Sequence, residues 1–141
     1  MRKPKRQLYT SMARTVILFY PATDGPPVSA EYRGKFLQLT LGGTQYLIFA
    51  PAELYRFHNQ ILTHFASDRN IAYRWLDDQT LEINSPDLVV IGGGKFRIDT
   101  AGKTLVLWDS SQAYGRFDAR DLPEAIASAG HPWSDFDIHI V

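Results

Sequence analysis

At 141 residues, 45% of them hydrophobic and 21% charged, the chain has the composition of one globular domain rather than a disordered segment. Its 15 basic and 15 acidic side chains cancel, which argues against a generally nucleic-acid-binding surface. Cysteine is absent, so disulfides, thiolate metal sites and cysteine nucleophiles are excluded. Residues 1–12 read as a basic tail carrying Arg2 to Arg6, and 13–141 as a single domain. The apolar run Val16 to Tyr20 is too short for a signal sequence or a membrane span, so a cytoplasmic protein without a membrane partner is expected.

TVILFY predicts a first strand and PATDGPPVSA a loop, with three prolines and a glycine in ten residues. Lys35 to Leu41 alternates at strand period, and GGT turns it into a second strand, QYLIFA. PAELYRFHNQILTHFASD predicts a helix. Pro51 suits its first turn, Glu53 the positive end of its dipole, and Leu54, Phe57, Ile61 and Phe65 its buried stripe. IAYRWL, TLEIN and DLVVI are strand-like, and KFRID-TAGK-TLVLW predicts a hairpin. DARDLPEAIASAG predicts a second helix with Asp121 as N-cap, Pro123 early and Gly130 as the stop, and FDIHIV a last strand. The expected architecture is α+β: a single mixed sheet flanked by two helices.

Three clusters can carry chemistry. The glycine triplet in DLVVIGGGKFRID is no phosphate loop of the Walker type, because the earlier glycine and the following Ser or Thr are missing. It reads either as a bend or bulge between strands, or as a backbone nest for an anion beside Lys95. Of the four histidines, His58 and His64 are six apart and face different ways on a helix, a poor metal pair, so neither metal nor cofactor is expected. His58 borders the apolar stripe, where packing can hold one side of the ring while a nitrogen stays open, as a general base requires. WDSSQAYG follows a strand with small side chains that leave main-chain amides accessible; it reads as an anion-holding turn or as a plain polar loop.

Taken in order, YRFHNQI, GGGKFRI, SSQAYG and GHPWSDFDIHIV resemble the Janus/Ocnus family, whose best-known members are the small phosphohistidine phosphatases. The resemblance runs from about Lys35 to the C-terminus, and the spacing from Gly94 to Gly115 agrees without a gap. It implies a mixed sheet with two helices and a metal-independent phosphatase acting on phosphohistidine in proteins or peptides. By the same resemblance His58 is the general base that activates water, Lys35 contacts the phosphoryl group, and Ser111, Gln112 and Ala113 hold phosphate oxygens. Lys95 stands where the family usually has arginine, Ala50 falls on another family arginine, and the stretch from His58 to Gly92 is longer than in the animal members. These departures leave a second expectation open, a phosphate- or phosphoprotein-binding module without turnover. The expected partners are a phosphohistidine-containing protein or peptide and the phosphate anion, with a monomeric chain.

Overall fold

The computed structural model describes residues 14–21 and 31–141. The expected N-terminal tail and most of the proline-rich loop lie outside the described residues. Among the described residues eight strands and two helices follow one another: β1 (Thr15–Phe19), β2 (Glu31–Leu41), β3 (Thr44–Pro51), α1 (His58–Asp68), β4 (Tyr73–Trp75), β5 (Leu81–Ile83), β6 (Leu88–Asp99), β7 (Thr104–Trp108), α2 (Leu122–Ser128) and β8 (Asp137–Ile140). Six strands form one mixed sheet in the order β1-β3-β2-β6-β7-β8, with parallel pairs at its two edges and antiparallel pairs between. The α+β architecture with one main sheet and two helices is therefore the observed one. The short β4–β5 hairpin forms a separate two-stranded sheet instead of joining it.

Strand alternation assigns the two faces of the sheet. Phe36 and Phe49 point to one side, where Phe96, Ile98, Leu105, Leu107 and Trp133 build a core closed by Leu122 and Ile126 of α2. Leu37, Leu39 and Ile48 point to the other, where Ile61, Leu62 and Phe65 of α1 cover them. Each of these α1 side chains contributes about 1.5–3 kcal/mol by leaving water, which is what fixes the helix over its half of the sheet. The α2 face also carries a polar row. Thr15 Oγ1 accepts from Gln45 Nε2 at 3.1 Å, and Gln45 Oε1 accepts from Gln38 Nε2 at 2.8 Å. The main-chain N–H of Asp118 then donates to Gln38 Oε1 at 2.7 Å.

Two expectations need correction. The first helix does not start near Pro51: that residue ends β3, opposite Gly34 on β2, and the chain turns before α1 begins at His58. The apolar spacing extends upstream, but Leu54 and Phe57 are each 56% exposed, so the stripe is real only from Ile61 onward. The helix entry is set by Gln60, whose Oε1 accepts from the main-chain N–H groups of Arg56 and Phe57 at 2.6 and 3.0 Å. Likewise the glycine triplet is no bend between strands. It lies within the twelve-residue β6, and the irregularity falls just before it, where pairing with β2 slips between Gln38–Gly92 and Leu39–Val90. The bulged residue is Ile91.

Candidate active site

His58 is the first residue of α1, and at 5% exposure its ring lies against the sheet. The space it occupies is made by Gly93. A methyl group on Gly93 would stand 2.5 Å from His58 Cδ2, 2.7 Å from its Nε2 and 2.8 Å from the carbonyl oxygen of Phe36. Gly92 and Gly94 point the other way, as strand alternation requires, and their methyl groups would strike the main chain of Arg116 and Trp108. The triplet is thus a thinned section of sheet, with the imidazole seated on one side and the 115–117 segment on the other. The glycines, read from sequence only as a backbone device, belong to the site itself.

The imidazole is oriented by the same strand. Its Nε2 lies 3.1 Å from the carbonyl oxygen of Gly94. A carbonyl only accepts, so Nε2 carries the proton and Nδ1 keeps its lone pair. Burial holds the ring's pKa below the ordinary histidine value. The Gly94 and Phe36 carbonyls and Asp109 pull it back up, while Lys35 pushes it further down. The net direction is downward, so the ring is neutral at pH 7 and able to take a proton.

Lys35 and Lys95 are direct cross-strand neighbours in the β2–β6 ladder. They project on the face that carries α1, since Leu37 and Gly93 share it. Like charges facing each other across strands repel, and Lys35 shows it: burial first, then Lys95, depresses its pKa, with Asp109 opposing. Asp109, at the exit of β7, lies 3.1 Å from Lys95 Nζ, and this contact with Lys95 holds its carboxyl below the usual range. One carboxylate thus faces two ammonium groups. On the other side of Lys35, its β3 neighbour is Ala50, which is fully buried.

The Ser111–Gly115 loop closes on itself through two main-chain bonds, Ser111 N–H to Gly115 O at 2.9 Å and Gly115 N–H to Ser111 O at 2.8 Å. It docks beside the imidazole through Gly93 N–H, which donates to Gly115 O at 3.1 Å. The main-chain N–H of Ser111 is therefore spent inside the loop. Its buried hydroxyl accepts from Tyr114 N–H at 3.1 Å and keeps a proton to donate. Among the described residues the amides of Gln112 and Ala113 have no hydrogen-bond partner, and both residues are exposed. Of the three residues named from sequence, then, Gln112 and Ala113 present amides and Ser111 a hydroxyl.

The structure gathers His58, Lys35 and Lys95 on one face of the sheet and docks the loop carrying Ser111, Gln112 and Ala113 against its glycine section. Sequence reasoning gave no individual role to Gly93, Asp109, Asn59 and Tyr114. Asp109 had a signal, an acidic residue at a strand exit directly before the small-residue loop; the others act through contacts with residues distant in sequence. Among the described residues no group of three or more His, Asp or Glu side chains is placed to hold a metal ion, and no helix is long and apolar enough to cross a membrane. No protein-family model matches the chain, and no curated protein matches it.

Proposed function

We propose that this chain is a metal-independent phosphohistidine phosphatase of the Janus/Ocnus kind, acting on phosphohistidine in a protein or peptide in the cytoplasm. The observation that carries the reading is the buried imidazole, held through Nε2 by Gly94 O, on the sheet face that carries two cross-strand lysines. Two cations held side by side with one carboxylate between them suit a dianion, and a neutral imidazole next to them suits removal of a proton from water. The Nδ1 of His58 accepts the proton of the attacking water as its oxygen bonds to phosphorus. The N–P bond breaks, and the substrate histidine leaves as neutral imidazole when its other ring nitrogen is protonated. Lys35, Lys95 and the amides of Gln112 and Ala113 neutralise the equatorial oxygens, which is most of what phosphoryl transfer asks of a protein. General-base help of this kind is worth on the order of 10²–10⁴-fold.

The test is phosphate release from a phosphohistidine peptide in the presence of EDTA. Wild type is expected to turn over and His58→Ala to lose at least a hundredfold in rate, within the general-base range. Activity that survives His58→Ala removes the mechanism, and activity abolished by EDTA removes the metal-independent reading. Ala50 supports a second reading, a phosphate-binding module of the same fold, because on the β3 side the neighbour of Lys35 is a methyl group and only the β6 side supplies a cation. Saturable phosphate binding without turnover decides for it.

A further inference from the structure

Asn59 stands next to His58 in sequence, is buried, and has no part in the chemistry above. Both ends of its amide are nevertheless used, by segments remote from each other. Its Nδ2 donates to the carbonyl oxygen of Gln79, in the turn of the β4–β5 hairpin, at 3.0 Å. Its Oδ1 accepts from the hydroxyl of Tyr114, in the Ser111–Gly115 loop. An amide side chain offers a donor and an acceptor on one planar group, and here each end takes a different segment. The hairpin pairs with no strand of the main sheet. Among the described residues, the bond from Asn59 is the only hydrogen bond that ties residues 73–83 to the body of the domain beyond the closing Asn84–Ala72 pair.

The loop raises a matching question. Its internal bonds fix its shape but not its orientation. Gly93 anchors it at Gly115, and Arg116 anchors its entry by donating from a guanidinium nitrogen to Asp109 O at 3.1 Å. Both anchors lie at the base of the loop. Among the described residues Tyr114 makes the one side-chain hydrogen bond from beyond the base, and it reaches α1 at the residue after His58.

We propose that Asn59 is a positioning residue: it latches the β4–β5 hairpin and the Ser111–Gly115 loop to one point beside His58, and so sets the amides of Gln112 and Ala113 to receive an anion's oxygens. The latch is a structural statement; only its effect on turnover rests on the phosphatase reading. The hairpin thereby becomes part of the wall of the site, although none of its side chains enters the chemistry.

Tyr114→Phe, Asn59→Leu and the double variant test this. Hydrogen exchange in the unliganded chain reads the latch directly. In Tyr114→Phe the loop's hydrogen-bonded amides, Ser111, Tyr114 and Gly115, are expected to exchange on the order of tenfold faster, as loss of one hydrogen bond implies, with the hairpin unchanged. In Asn59→Leu the hairpin amides are expected to be released as well. Titration with inorganic phosphate, followed through the His58 ring resonances, should show weaker binding in both single variants and no further weakening in the double, because they break one shared contact. The pH at which His58 titrates should not move, whereas a general loss of structure would expose the ring and shift it. Loop exchange unaltered in Tyr114→Phe, or strictly additive losses in phosphate affinity, overturns the latch. If Asn59→Leu does not fold, Tyr114→Phe alone decides. A chain that shows the exchange pattern yet hydrolyses nothing keeps the latch and loses the phosphatase.

Discussion

Gly93→Ala isolates the feature on which the site depends. The added methyl group would sit 2.5 and 2.7 Å from two atoms of the His58 ring and 2.8 Å from the Phe36 carbonyl oxygen, closer than any real carbon contact. Overpacking of this kind costs about 1–3 kcal/mol, of which the better strand propensity of alanine returns about 0.5–1 kcal/mol. A net loss of about 1–2 kcal/mol is expected, a fall in Tm of roughly 3–7 °C for a chain of this size. Main chain cannot yield as readily as a side chain, so the imidazole is the part that swings out. It then loses the Gly94 carbonyl and regains water. Relief from burial is the larger of the two effects, so the His58 pKa rises toward the ordinary value of about 6.5. Proton NMR titration of the ring in wild type and variant measures this directly, beside a thermal melt. Gly94→Ala is the control: its methyl group meets Trp108 O and the Phe117 ring on the opposite side of the sheet, so it should lower Tm without first displacing the imidazole. A Gly93→Ala protein that melts as wild type does and titrates His58 at the wild-type pH refutes the seating of the ring on the glycine.

Lys35→Ala removes a positive charge that depresses His58, so the ring's pKa should rise and any activity should gain an acid limb at higher pH; NMR titration of His58 checks the sign, and a downward move refutes it. Lys95→Arg brings a forked donor geometry to this position, and tighter inorganic phosphate binding by calorimetry is the expected result. Gln38→Ala leaves the Asp118 N–H without its 2.7 Å partner and detaches the segment that follows the loop; a destabilisation of about 1–3 kcal/mol in urea unfolding is expected. His58 and His131 are both held below the ordinary histidine pKa, chiefly by burial. The unfolded chain therefore binds more protons below about pH 6.5, so stability should be full at pH 7 and lower at pH 5. An unchanged urea midpoint between those two values contradicts this.

The strands were legible because they depend on local alternation: Phe36, Gln38 and Thr40 face one side of the sheet, and Leu37, Leu39 and Leu41 the other, as the pattern demands. The start of α1 was not. Pro51, Glu53, Leu54 and Phe57 carry every local mark of a helical first turn, yet β2 claims Pro51 for its ladder, a partnership across the sheet that no window of sequence contains. The second helix shows the same division. Its stop at Gly130 was readable, with φ at 71°, as was the place of Asp121, but Asp121 caps no amide with its side chain. At the site, residue types were legible where a particular atom could do chemistry, as at His58, Lys35 and the SSQA loop. They stayed silent wherever the need was for space or orientation.

Gly93 shows why. A general base must be buried enough to be held and neutral, yet keep one nitrogen open, and on a helix packed over a sheet those demands conflict. Side chains on the sheet would lift the helix terminus away, while a ring turned to solvent would lose its fixed tautomer. Removing the side chain from one sheet position resolves the conflict, because the ring drops to main-chain level and finds a carbonyl at Gly94 to hold its proton. The neighbouring glycines let residues 115–117 approach from the far side, and Gly93 N–H is there to dock the loop at Gly115. The strand then continues two residues beyond Gly93 to Lys95, which strand period returns to the face of the imidazole. Imidazole seat, loop anchor and cation are thus set by three consecutive residues of one strand, so a substitution that shifts the register of β6 by one residue should dismantle all three together.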